Sequence, residues 1–145
     1  MIDPQTIEAG QRKATREFLI KKAKEFLGKP YKLGAKPEEA PGCFDCSSFI
    51  QYVYKWIGVH LPRTTNLQSK LGRLARSRRP RKGDLIFFRG ARPWEVTING
   101  ITCWIGHVGM YIGRNEFIHC SQKKGVAVKS LKETKYSIIL IRRII

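Results

Sequence analysis

The sequence predicts an α+β fold in which helices come first and an antiparallel sheet follows. Residues 12–27 repeat apolar side chains at helical spacing, whereas the segments after Gly83 are short and rich in β-branched and aromatic residues. Helices and strands that are segregated along a chain are typical of α+β folds. At 145 residues the chain is expected to form one domain, with an N-terminal helix within 1–30 and a core from about 31–145.

The first helix is predicted over residues 12–27. Gly28 and Pro30 are expected to end it, because neither residue continues a helix well. Its apolar positions fall on one side, with basic residues opposite: Phe18, Leu19, Ala23, Phe26 and Leu27.

Two more helices are predicted after an irregular loop at 31–45. Residues 47–58 favour a more buried helix, and Asp45 and Ser47 are suitable capping residues near its start. Residues 64–71 are compatible with a short third helix. The next basic stretch contains turn signals and is expected to connect the helices to the sheet.

Five segments after residue 83 are predicted to be strands: LIFF at 85–88, HVGMYIG at 107–113, EFIHC at 116–120, GVAVKS at 125–130 and SIILIRRI at 137–144. Between the first two lies a further stretch of alternating β-formers around the pair Asn99-Gly100. This dipeptide strongly favours a two-residue hairpin turn, so a hairpin insertion is expected at about 94–104.

The composition is globular, but the charge is strongly basic. Lys and Arg number 28 against 11 Asp and Glu, a formal net charge of +17. Such a surface attracts polyanions, of which an anionic cell-wall polymer, anionic lipid and nucleic acid are examples. The densest basic stretch has no interleaved aromatic residues for base stacking, which makes nucleic acid the less favoured partner; it contains Arg73, Arg76, Arg78, Arg79, Arg81 and Lys82.

The N-terminal segment has no apolar stretch of the signal-peptide kind, and no run is apolar enough for a spanning helix. The sequence therefore leaves the cellular location and the export route open.

Cys46 is the candidate nucleophile. It stands where a loop meets a predicted helix N-terminus, and unpaired backbone N–H groups there favour a thiolate and an oxyanion. The alternative is that Cys46 is simply a small core residue.

His107 and His119 are the candidate partners of that thiol. His107 opens a predicted strand and alternates with bulky apolar residues, so it should lie on the opposite face or at the edge of the strand. His119 falls on the next strand, where it can be a cross-strand neighbour that orients the His107 ring. Nucleophile, base and orienting group are the general parts of an activated thiol, although a structural histidine fits His107 equally well.

Five blocks in this order and spacing resemble the NlpC family of papain-like cysteine peptidases, which hydrolyse bacterial cell-wall peptides: DCSSF at 45–49, PRTTNLQ at 62–68, GDLIFF at 83–88, HVGMYIG at 107–113 and FIHCS at 117–121. The resemblance runs from about Tyr31 to the C-terminus. It implies a papain-like fold in which N-terminal helices pack on a small antiparallel sheet and the nucleophile lies at a helix N-terminus.

The resemblance also implies roles for individual residues. Cys46 would be the nucleophile, His107 the base and His119 the orienting residue, with no metal or organic cofactor. Family members typically cut between D-glutamate and a diamino acid of the peptidoglycan stem peptide. Asp45 and Ser47 match positions that bind the free amine of the stem's first residue, and Tyr31 matches an aromatic that helps bind substrate or donates near the oxyanion.

The sequence departs from the family pattern in places and leaves alternative functions open. Ser48 replaces a glycine common in the family, and the hairpin before His107 is longer than usual. Cys43 and Cys46 form a C-x-x-C motif, but the other two cysteines are single, which disfavours a zinc site. A disulfide between Cys43 and Cys46 would inactivate the nucleophile. A thiol acyltransferase or amidase of the same superfamily, and a non-catalytic basic module that binds nucleic acid, are the alternative functions.

Overall fold

A computed structural model describes residues 9–75 and 79–145 of the chain. Its helices are α1 (Ala9–Lys24), α2 (Cys46–Lys55) and α3 (Thr65–Gln68), with a 3₁₀ turn at Pro37–Glu39. Its strands are β1 (Arg73–Leu74), β2 (Leu85–Phe88), β3 (Trp94–Ile98), β4 (Ile101–Ile105), β5 (His107–Gly113), β6 (Glu116–Ser121), β7 (Gly125–Ser130) and β8 (Ile138–Arg143). The predicted α+β order is confirmed.

Six strands form the main sheet in the order β1-β8-β2-β5-β6-β7, and their pairings are antiparallel. The sequence did not predict β1, which pairs only two residues with β8. Arg76 and Arg78 of the basic stretch lie outside the described residues.

The main core lies between α2 and one face of the sheet. Phe49, Ile50 and Val53 on α2 are fully buried, as are Val108 and Met110 on β5. Each fully buried side chain of this size stabilises the folded protein by roughly 1.5–3 kcal/mol relative to an exposed one. This packing fixes the N-terminus of α2 against the start of β5.

The apolar stripe of α1 differs from the prediction. Phe18 and Leu27 are exposed, and the buried positions of α1 are Leu19, Ile20 and Ala23. The helix also ends at Lys24, because the following residues close tighter i→i−3 hydrogen bonds before Gly28 turns the chain with φ +88°.

Among the described residues, no helix combines the length and apolarity needed to cross a membrane.

The N-terminus of α2 is held by a capping box. Asp45 is the N-cap and accepts a hydrogen bond from the backbone N–H of Ser48 at 2.9 Å, while the Ser48 hydroxyl accepts one from the Asp45 N–H at 2.9 Å. The serine that departs from the family pattern therefore completes the cap, and Ser47 does not cap the helix.

The hairpin β3–β4 forms where Asn99-Gly100 predicts it. Both turn residues have positive φ, 51° and 77°, as a primed two-residue turn requires. Val96, Ile98 and Ile105 pack into the main core, so one face of the hairpin is anchored. The hairpin connects the end of β2 directly to the start of β5.

Candidate active site

Cys46 is the first residue of α2, and its sulfur lies beside the start of β5. Thr65 Oγ1 lies 3.4 Å from Sγ, and the backbone amides of Val108 and Ser47 are close enough to the sulfur to lower the pKa of its thiol. Because Val108 directly follows His107 in the chain, the sulfur lies next to the start of β5, and we call the junction between this strand and the N-terminus of α2 the cleft. The structure thus brings together the two residues on which the sequence interpretation depends.

His107 and His119 form a hydrogen-bonded pair. The Nε2 atom of His107 lies 2.7 Å from the Nδ1 atom of His119, and the rings meet edge to face with centroids 5.0 Å apart. With Nε2 engaged in this way, Nδ1 is the His107 nitrogen left for another partner. The cross-strand relation expected from the sequence is present.

Gly109 explains why the two rings can meet. Met110 pairs with Ile118, so the same register places Gly109 opposite His119, and His107 is the diagonal neighbour. A Cβ at Gly109 would lie 2.8 Å from the Phe117 ring and 3.4 Å from His119 Cβ. The missing side chain leaves room for the His119 ring to lean toward His107.

Burial keeps this site neutral. It lowers the pKa of His107 to about 4 and of His119 to about 3, with the charge of Lys129 adding to both shifts. Burial also raises the pKa of the Cys46 thiol, against the smaller lowering by Thr65 and the two amides. The donors near the helix N-terminus thus favour the thiolate, as the sequence indicates, while burial disfavours it more strongly.

The histidine pair makes stability fall in mild acid. The unfolded state takes up protons near pH 6.5, whereas folded His107 and His119 stay neutral to about pH 4 and 3. Between pH 6.5 and 4.5 the unfolded state binds more protons, so the free energy of unfolding decreases as pH falls, by about 1.4 kcal/mol per unit of pKa difference. Denaturant titrations should show this slope in the wild type, a shallower one in His119→Gln, and the wild-type slope in the control His60→Gln, whose side chain is exposed. Identical slopes in all three proteins would contradict the buried pair.

A polar network lies beside Cys46 on the other side of the cap. Arg63 donates to Asp45 Oδ2 at 2.6 Å, to the Ser47 hydroxyl at 2.9 Å and to the Ala35 carbonyl at 2.7 Å. The Ser47 hydroxyl in turn donates to Asp45 Oδ1 at 3.3 Å. Asp45 and Ser47 are thus held as a rigid pair of acceptors next to the thiol.

Tyr31 closes the same side of the cleft. Its backbone bridges to Phe44, two residues before Cys46. Burial raises the pKa of the Tyr31 phenol, and the nearby Cys46 and Asp45 raise it further. Tyr31 therefore lies near the helix side of the cleft, where Asp45, Cys46 and Ser47 stand, and the His107–His119 pair lies on the strand side.

Sequence reasoning did not identify three residues that shape this cleft. Thr65 contacts the sulfur, Arg63 holds the Asp45–Ser47 pair, and buried Gln68 donates to the Ser47 carbonyl at 3.0 Å and the Pro62 carbonyl at 2.8 Å. All three fall in the block PRTTNLQ, which carried the family resemblance but received no site role.

The other three cysteines are free thiols placed away from this arrangement. The Cys43 thiol donates to Glu39 at 3.7 Å, and Cys120 is fully buried and donates to the Phe44 carbonyl at 3.3 Å. Cys103 lies on the hairpin strand β4. Cys120 is thus part of the core, and Cys103 is part of the hairpin.

Comparison with known proteins identifies the family. The model of the NlpC/P60 family matches residues 28–143. The chain belongs to the NlpC/P60 family. Helix α1 precedes the matched region, whereas the cleft and the hairpin lie within it.

Solved and curated relatives agree with this assignment. NlpC1 from Trichomonas vaginalis superimposes with a TM-score of 0.75 at 30% identity, covering 90% of this chain and 44% of that protein. The chain is 33% identical over 130 residues to a gamma-DL-glutamyl hydrolase of Bacillus subtilis (strain 168), covering 89% of this chain and 29% of the relative. It is 31% identical over 136 residues to a gamma-D-glutamyl-L-lysine dipeptidyl-peptidase of the same strain, covering 90% and 40%. The chain thus spans less than half of each of these proteins, and the papain-like α+β fold expected for the NlpC family is confirmed.

Proposed function

We propose that this protein is a cysteine peptidase that hydrolyses an amide in bacterial cell-wall peptides, acting as one catalytic domain. The observation that carries the proposal is the arrangement of Cys46 beside the start of β5, with His107 paired to His119 at 2.7 Å. Cys46 is the nucleophile, His107 the base and His119 the residue that orients the base.

In the first step of the proposed reaction, the neutral Cys46 thiol gives its proton to the neutral His107 imidazole. With its Nε2–H donated to His119, His107 has an unprotonated Nδ1 that accepts the thiol proton as Cys46 attacks the amide carbonyl. The imidazolium formed keeps the same hydrogen bond to His119, so one tautomer of His119 serves both states. The proton then passes to the leaving amine, and water hydrolyses the thioester to return the free thiol.

The oxyanion of this reaction forms at the positive end of a helix. As the first residue of α2, Cys46 has a backbone N–H with no acceptor inside the helix. The Tyr31 phenol lies on the same side of the cleft and supplies a second donor. Donors fixed in place before reaction are typically the largest single contribution to stabilising such a charge.

The substrate we propose is the peptidoglycan stem peptide, cut between D-glutamate and the diamino acid. A relative named a gamma-D-glutamyl-L-lysine dipeptidyl-peptidase supports this bond. Asp45 and Ser47, fixed by Arg63, provide acceptors for the free amine of the stem's first residue, and Tyr31 covers it. Asp45 Oδ1 already accepts from the Ser48 N–H and the Ser47 hydroxyl, whereas Oδ2 accepts only from Arg63 and retains a lone pair for that amine.

Synthetic stem peptides test this proposal. L-Ala-γ-D-Glu-L-Lys-D-Ala should be cut at the γ-D-glutamyl–lysine bond, and N-acetylation should lower kcat/KM by about tenfold or more, because it removes a charge-assisted hydrogen bond. Liquid chromatography with mass spectrometry of the products measures both. Cleavage at another bond, or equal rates for the free and acetylated peptides, would contradict the assignment, and acyl transfer to an added amine in place of hydrolysis would favour the transferase alternative.

We further propose that the basic surface holds the enzyme on an anionic cell-wall polymer. A cavity of about 400 Å³ between α1 and the start of β2 is lined by the cationic side chains of Lys13, Arg16, Arg81 and Lys82, with Glu17 paired to Lys82 at 2.8 Å. Arg16 is anchored there by donating to the Ile145 carbonyl at 2.9 Å, and the net positive charge of the lining attracts an anionic group.

A further inference from the structure

The segment before the hairpin packs directly on the residue that precedes His107. A Cβ on Gly106 would lie 2.7 Å from the Arg89 carbonyl oxygen, 2.9 Å from the Arg92 carbonyl oxygen and 3.0 Å from Pro93 Cα. The Gly106 N–H also donates to the Phe88 carbonyl at 3.0 Å, which closes the base of the insertion. The backbone at Arg92 is therefore held against the start of β5, at the edge of the cleft.

The positive charge of Arg92 acts on the Tyr31 phenol, which is itself influenced by Cys46 and Asp45. Burial dominates the raised pKa of Tyr31, the nearby Cys46 and Asp45 raise it further, and the charge of Arg92 opposes them. The side chain of Arg92 is thus within electrostatic reach of the phenol beside the thiol.

Arg92 differs from the other arginine of the cleft. Arg63 is committed to a carboxylate, a hydroxyl and a carbonyl of the protein itself. Arg92 is exposed, and within the described parts of the chain its guanidinium makes no hydrogen bond or ion pair. Its five donors remain for a planar anion, to which guanidinium binds in bidentate geometry.

The substrate of the proposed function carries such an anion next to the reacting bond. A glutamyl residue linked through its γ-carbonyl keeps a free α-carboxylate, and three carbon atoms separate the carbon of this carboxylate from the carbonyl carbon under attack. Amidation to isoglutamine removes the charge and leaves the backbone of the peptide unchanged.

We propose that Arg92 binds the α-carboxylate of the γ-glutamyl residue and thereby selects free-acid over amidated stem peptides. This inference rests on the proposed function and names the substrate class within it. Arg92 acts as a specificity-determining residue, since neither proton transfer nor attack on the carbonyl requires it.

Four proteins and two peptides test the inference. The peptides are L-Ala-γ-D-Glu-L-Lys-D-Ala and its D-isoglutamine counterpart, assayed for kcat/KM. We expect the wild type to prefer the free acid by about tenfold or more, the value of one charge-assisted hydrogen bond. Arg92→Gln should lose this preference by reacting more slowly with the free acid only, and Arg92→Lys should recover part of it. Arg114→Gln, which removes an exposed charge at the opposite end of β5, should keep the wild-type ratio.

The possible results distinguish the role of Arg92 from the proposed peptidase function. A wild type that cuts both peptides equally, or an Arg92→Gln protein that slows on both by the same factor, would overturn the role of Arg92 and leave the peptidase assignment standing. An Arg92→Gln protein that keeps the wild-type preference for the free acid would also overturn it. A wild type that cuts neither peptide would overturn both proposals.

Discussion

Cys46→Ala should reduce kcat/KM on the stem peptide by about 10⁴-fold or more while leaving the fold intact. Without the sulfur no thioester forms, and the remaining oxyanion donors accelerate water attack only weakly. The side chain is small and half-buried at the first turn of α2, and the cap that holds this turn comes from Asp45 and Ser48. Progress curves on the synthetic peptide measure the loss, and circular dichroism with thermal unfolding measures the fold.

Cys43→Ala is the matched control for that experiment. Its thiol lies three residues earlier in the chain and contacts Glu39. We expect Cys43→Ala to hydrolyse the peptide at the wild-type rate. Full activity in Cys46→Ala, or loss of activity in Cys43→Ala with Cys46 unchanged, would show that the nucleophile is assigned to the wrong cysteine. Wild-type activity that survives oxidant would argue against a regulatory disulfide between the two.

His107→Gln should lower kcat/KM by roughly 10²- to 10⁴-fold, the usual contribution of a positioned general base. The loss should be large because burial raises the pKa of the Cys46 thiol, so little thiolate exists without a base to take its proton. His119→Gln should lose less, since glutamine keeps an acceptor for the His107 Nε2–H. Steady-state kinetics across pH 5–9 distinguish the two variants.

The pH profile provides the decisive comparison between the two histidine variants. As pH rises, His107→Gln should recover part of its rate, because solvent then ionises the thiol in place of the missing base. His119→Gln should keep a wild-type profile at lower amplitude. Equal, pH-independent losses of kcat/KM in both variants would mean that His107 stabilises the structure and does not transfer the proton.

Sequence patterns predicted those parts of the fold that depend on local chemistry. The pair Asn99-Gly100 determines the hairpin turn because both residues tolerate positive φ. Alternation along 107–113 predicts that His107 and Val108 face opposite ways, and Val108 is buried in the main core as this requires. The relation between His107 and His119 follows from the same alternation and one short turn.

Features that depend on long-range packing were not predictable. Whether Phe18 or Ile20 faces the core depends on how α1 rotates against the sheet, and helical periodicity allows both. The ion pair of Arg63 with Asp45 joins residues 18 positions apart, through a loop whose path no local pattern determines. The direction of the Cys46 pKa shift likewise depends on how tertiary packing surrounds the sulfur, which no local pattern determines.

A crystal structure of Cys46→Ala with L-Ala-γ-D-Glu-L-Lys bound tests the central arrangement most directly. We expect the γ-carbonyl carbon about 3–3.5 Å from the position of the sulfur in the wild type, with His107 Nδ1 turned to that point and His119 still bound to Nε2. A peptide seated elsewhere on the surface, or a His107 ring turned away from the bound γ-amide, would contradict it.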